Sequence, residues 1–250
     1  MTPARSRSRS NGLLVLLVVM VLLLVARAGG AGAAPVVDPA GAGAAWIDRL
    51  AAASVPLKGF DGTSDDWGIT LDAGLALASV GAPATSTARI WDGLVAARDT
   101  AVAPGGTDNP GRLARAVLLA VALGEDPRAV GAAPGADLVA RLAALRTPSG
   151  ADAGLLGAAD PSYDGVFRHA YGLMALAAAG ATVPSDSVAW LVGQQCADGS
   201  WMPYRADLTA PCVRNVAAFS GPDTNSTAAA VEALAAVAAV GLGTVAAQLE

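Results

Sequence analysis

Leu191-Val192-Gly193-Gln194-Gln195-Cys196-Ala197-Asp198-Gly199-Ser200-Trp201 is the stretch that decides the fold. Val188, Trp190 and Leu191 are apolar at helical spacing, so a short amphipathic helix arrives here and ends in glutamines. Asp198-Gly199 then predicts a turn, because glycine takes positive φ without steric cost and aspartate hydrogen-bonds nearby backbone. Trp201 is expected to fill the corner, placing Gln195, Gly199 and Trp201 in the order Q-x-x-x-G-x-W. Past a long loop, a second helix opens at Asp223. Helix, corner and helix make one hairpin.

Outward from this hairpin the pattern recurs. Gly74-Leu75-Ala76-Leu77-Ala78-Ser79-Val80-Gly81 resembles Leu173-Met174-Ala175-Leu176-Ala177-Ala178-Ala179-Gly180. Val117 to Gly124 and Val231 to Val237 are further copies. Each is apolar nearly all round, as expected of a helix inside an array. In three of them glycine stands where a helix C-terminus favours a left-handed residue. Trp46 to Leu50, Ile90 to Arg98, Leu138 to Arg146 and Val188 to Gln195 alternate with these runs. Their charges fall away from the apolar stripe, so they read as an outer, solvent-facing layer. Pro83, Pro127, Pro134 and Pro184 fall in the connections, where helices stop.

The inner helices also share a start. Asp66 stands four residues before Thr70, as Asp223 does before Thr227. Aspartate there caps free N–H groups and meets the positive end of the helix dipole. Asp164 sits one position out of that alignment, and Asp108 and Asn109 precede Pro110 in the second hairpin. The corner itself decays: Leu145 to Gly150 lacks both Gln and Trp, while Phe60-Asp61-Gly62 with Trp67 keeps the turn and a tryptophan.

Paired helices with a Gln195/Gly199/Trp201 corner resemble the prenyltransferase and squalene-oxidase repeat family, over about residues 44–241. The resemblance implies an all-α fold in which about four hairpins build an α/α toroid. Closed toroids of the family usually contain more hairpins, so a partial or open array is expected across 44–250. The fold hosts enzymes and binding proteins alike, so activity has to be argued from the site. Resemblance to triterpene cyclases implies a D-x-D-D acid, but Thr63 stands where Thr63-Ser64-Asp65-Asp66 needs its first aspartate. Resemblance to protein prenyltransferases implies a zinc site and basic residues for a diphosphate, yet Lys58 and His169 are the single Lys and His. Aromatic residues are 4% of the chain, few for stabilising carbocations by cation–π contact. No catalytic residue, metal or cofactor is therefore expected.

Composition and the N-terminus narrow the class further. With 54% hydrophobic and 15% charged residues, the chain has ample apolar surface to fold. Arg5, Arg7 and Arg9 precede an apolar run from Leu13 to Val25, and Ala31-Gly32-Ala33 supplies a cleavage-like site. Residues 1–33 read as an export signal followed by a linker at 34–43. The alternative is a membrane anchor through 13–26, although a bilayer span takes about 20 apolar residues. Losing 1–33 removes four arginines and no acids, so the net charge moves from −5 to −9. An acidic surface cannot hold phosphate backbones by counterion release, so no nucleic-acid partner is expected, and membrane contact only through the N-terminal segment.

In an exported chain Cys196 and Cys212, the two cysteines, are expected to form a disulfide. A metal site is disfavoured by the single histidine and the absence of C-x-x-C. The functional expectation is an exported, non-catalytic module binding a small molecule or a cell-envelope component, with a likeness to the helical domain of cobalamin-carrier proteins. Asp66, Trp67, Asp164, His169, Tyr171, Asp223 and Asn225, near the inner-helix starts, are the candidate contacts. Each also has a structural reading: a buried His, a corner Trp, a capping Asp. Asn225-Ser226-Thr227 is both a glycosylation sequon and a helix start. The rival reading is a terpenoid cyclase or prenyltransferase-like enzyme whose acid is not recognised.

Overall fold

The computed structural model describes residues 38–157, 164–217 and 220–241. The expected export signal or anchor lies outside the described residues. Contacts divide the chain into one unit of residues 1–43 and another of 44–250. Among the described residues regular structure is helical: α1 (Pro39–Ala53), α2 (Trp67–Ser79), α3 (Ala84–Ala96), α4 (Arg98–Val102), α5 (Pro110–Leu123), α6 (Leu138–Ala144), α7 (Gly165–Ala178), α8 (Ser185–Gly193) and α9 (Thr224–Ala239). Helix α1 begins at Pro39, within the stretch expected as a linker.

The four apolar runs lie in α2, α5, α7 and α9, and these helices pack side by side in chain order. Leu71 and Leu77 of α2, Leu113 and Leu119 of α5, and Leu173 and Leu176 of α7 are among the largest fully buried side chains. The polar-faced helices lie against this row, α3 on α2 and α5, α6 on α5 and α7, α8 on α7. Burying a leucine side chain contributes about 2 kcal/mol, and Ile90, Leu94, Leu138, Leu142 and Leu191 of the outer helices are buried as fully as those of the row. The row is not covered on every side: Val231 of α9 remains 45% exposed. The all-round apolar character therefore reflects small alanines at helix contacts as much as burial.

Helix starts follow the sequence with one exception. Asp66 accepts from the Ile69 N–H and Asp223 from the Ser226 N–H. Asn109, not Asp108, caps α5 through the Arg112 N–H, with Pro110 at the first helical position where its missing donor costs nothing. Asp164 stands at the start of α7 but makes no side-chain cap, and instead pairs with Arg168 at 2.6 Å. At the far ends Gly81, Gly124 and Gly180 all take positive φ, as helix termination requires.

Two features of the outer helices depart from expectation. Trp46 and Leu50 of α1 are exposed rather than turned into the core. Arg98, expected on the wet face, is buried and donates to the carbonyls of Val130, Ala132 and Pro134 while pairing with Asp99. One guanidinium supplies several donors in a fixed fork, which suits it to organising a loop that has no ladder of its own.

Candidate functional site

Isolated antiparallel bridges mark three corners: Arg146 with Leu156 and Gln195 with Trp201 in like positions, and Lys58 with Asp65 one residue beyond the matching point at Leu57. Each precedes an inner helix and is tied to its first turns. The Leu57 N–H donates to Thr70 Oγ1 at 2.8 Å, the Leu156 N–H to His169 Nδ1 at 2.9 Å, and the Trp201 N–H to Thr227 Oγ1 at 3.0 Å. His169 thus does in the third hairpin what threonine does in the first and last. The corner before α7 has neither Gln nor Trp at the matching positions but makes this same anchor.

His169 is fully buried, with Nδ1 accepting from Leu156 and Nε2–H donating to the Ser187 carbonyl at 2.9 Å. Its ring meets Trp190 edge-on at 4.7 Å. Burial pushes the imidazole down to about 4, against a smaller opposing effect of the Ser187 carbonyl. No ring nitrogen is left for a ligand.

At the fourth corner Gln195 Nε2 donates to the Gly199 carbonyl at 3.1 Å, Gly199 has positive φ, and buried Trp201 donates Nε1–H to the Leu191 carbonyl at 2.8 Å. Sequence reasoning missed Gln194, which is buried and accepts from the Arg205 N–H at 2.6 Å. Arg205 in turn donates to the carbonyls of Gln195, Leu208 and Ala210. Cys196 and Cys212 form the disulfide and staple the long loop to the same helix end. Asp152 reaches across to accept from Trp190 Nε1 and Tyr204 OH, so Tyr204 serves as a tether between loops.

The 201–203 segment holds two neighbouring helix starts at once. Pro203 accepts from the Val166 N–H of α7, and Trp201 from the Asp223 N–H at the start of α9. Helices α7 and α9 therefore begin side by side, and an open cleft of about 560 Å³ lies at their starts. Asp164, Asp223 and Asn225 line it together with Phe167, Arg214 and Asn215. Arg214, Asn215 and Val216 line it from one side of the bridge between Asn215 and Ser220, and Ser220 and Gly221 from the other. Gly221 has φ +112°, and a Cβ there would come within 2.6 Å of the Arg214 Cα, so only glycine lets the chain double back.

The remaining candidates lie elsewhere. Trp67 is buried in the core, and Asp66 caps α2. Tyr171 belongs to a cross-helix cluster on the open side of the row. Arg115 of α5 pairs with Asp72 of α2 at 2.7 Å and lies over the rings of Tyr171 at 4.9 Å and Phe167 at 5.8 Å. Burial pushes the Asp72 carboxyl up, with Arg115 opposing, although half its side chain stays exposed. Burial also pushes the Tyr171 phenol up, again opposed by Arg115. Among the described residues no group of metal-ligating side chains converges, and no helix is long and apolar enough to cross a membrane.

Comparison of the chain with protein-family models, characterised proteins and solved structures finds no match.

Proposed function

We propose that this chain is an exported, non-catalytic binding module of the α/α-toroid type, related to the prenyltransferase and squalene-oxidase repeats, for a small molecule or a cell-envelope component. The observation that carries the reading is the gathering of Asp164, Asp223 and Asn225 in one open cleft where α7 and α9 begin. Pockets that hold small ligands combine an apolar or aromatic surface with a few convergent polar groups. Phe167 supplies the first here, and the Asp and Asn side chains the second. Side-by-side packing of α2, α5, α7 and α9 supports the repeat architecture. The disulfide is consistent with an extracellular location.

The cyclase-like alternative needs a strong acid inside a closed apolar cavity. The carboxyl that burial raises, Asp72, is half exposed and already paired with Arg115, which favours binding over protonation chemistry. The test is thermal unfolding of the secreted protein with and without cobalamin and soluble cell-wall fragments. A ligand that binds only the folded state raises the midpoint, and Asn225→Ala should reduce that rise. Turnover of squalene or a prenyl diphosphate by the same protein would overturn the reading.

A further inference from the structure

We infer, resting on the binding reading above, that the cleft at the starts of α7 and α9 takes a neutral, hydroxyl-rich ligand: a short uncharged oligosaccharide. The lining is the first reason. Asp164, Asp223, Asn215 and Asn225 present planar carboxyl and amide groups around one space. Asn225 is exposed at the start of α9, and its amide both donates and accepts, as sugar hydroxyls do.

Phe167 is the second. It forms an aromatic surface in the cleft, and its ring is held by Tyr171 at 5.0 Å and by the Arg115 guanidinium. A ring already held by its neighbours can pack against the C–H face of a pyranose at little entropic cost.

Charge is the third. Asp164 is compensated by Arg168, Asp223 by the start of α9 through the Ser226 N–H at 2.7 Å, and Arg214 stands on the opposite wall. Carboxylates already compensated hold a cation weakly, and one arginine set among them gives an anion little net attraction. A volume of about 560 Å³ is within the range of small-ligand pockets and leaves room for more than one sugar ring. The wall carrying Arg214 and Asn215 follows Cys212, so the disulfide keeps this side of the cleft in place without touching the ligand.

Isothermal titration of the full chain with cellotetraose, chitotetraose and maltotetraose tests this, with spermidine and glucose 6-phosphate as charged probes. Binding of at least one tetrasaccharide is expected, with neither charged probe bound. Phe167→Ala and Asn225→Ala should each weaken that binding about tenfold. Asn225 is exposed, so its variant keeps the fold even if loss of Phe167 disturbs it, and unliganded melting curves check both. Failure of all three tetrasaccharides overturns the inference. So does sugar binding that Asn225→Ala and Phe167→Ala leave unchanged, which puts the sugar elsewhere. Spermidine binding that Asn225→Ala removes overturns the neutral-ligand inference but keeps the cleft as a binding site. Only silence from these probes, cobalamin and cell-wall fragments together defeats the broader reading.

Discussion

Protonating His169 puts a charge where water does not reach and takes away the acceptor that holds the Leu156 N–H. The folded-state value is depressed, from 6.5 to about 4, so the unfolded chain binds the proton first as pH falls. Stability from this group is complete above pH 6.5 and is lost as pH drops toward 4, by about 3 kcal/mol in all. Urea midpoints measured across that window should fall for the natural chain. For His169→Gln they should stay nearly level, at a lower starting stability because a snug buried ring has been replaced. Asp223 offers a second test at this scale. Its carboxylate caps α9 through the Ser226 N–H, so Asp223→Ala should cost about 1 kcal/mol in denaturant unfolding.

The corners are the elements where sequence and chemistry meet. Each ties the segment after an outer helix to the first turns of an inner one, and the fourth is additionally locked by the disulfide. Cys196 and Cys212 are 16 positions apart, a loop whose closure contributes about 3 kcal/mol in the chain-entropy account. Replacing both with serine should lower the unfolding free energy by about that amount while leaving far-ultraviolet helicity nearly unchanged. The close approach of Gly221 to Arg214 gives a contrasting case. Gly221→Ala forces an L side chain to φ +112° against the Arg214 backbone, and a destabilisation of about 1–3 kcal/mol is expected in thermal melts. The Asp–Thr spacing at two helix starts was legible because capping is local. The equivalence of His169 with Thr70 and Thr227 was not, because it rests on a bond between segments that a one-position offset hides from alignment.

For the whole molecule, stability should behave as a sum over hairpins and the interfaces between neighbours, since contacts run between adjacent members of the row. Export is tested at the same scale. Mass spectrometry of the secreted protein should show an N-terminus close to Pro35 and a mass short by the two hydrogens lost in joining Cys196 to Cys212. A retained leader would favour the anchor through 13–26 instead.

The sequence by itself determined the helical class, the alternation of bland and polar-faced helices, the aspartate caps of α2 and α9, and the cysteine pair. The first three are set by periodicity or by chemistry within a few positions of the chain, and the pairing by there being two cysteines. Tertiary structure alone decided which polar groups face water. Arg98 and His169 are both buried, one gathering loop carbonyls and the other bridging two segments, and neither role has a local signature. It also decided that Asp164, Asp223 and Asn225 share a cleft while Asp66, Trp67 and Tyr171 do not. Which helix starts lie side by side depends on how buried leucines and small alanines pack between distant segments, and that free energy belongs to no single stretch of the sequence.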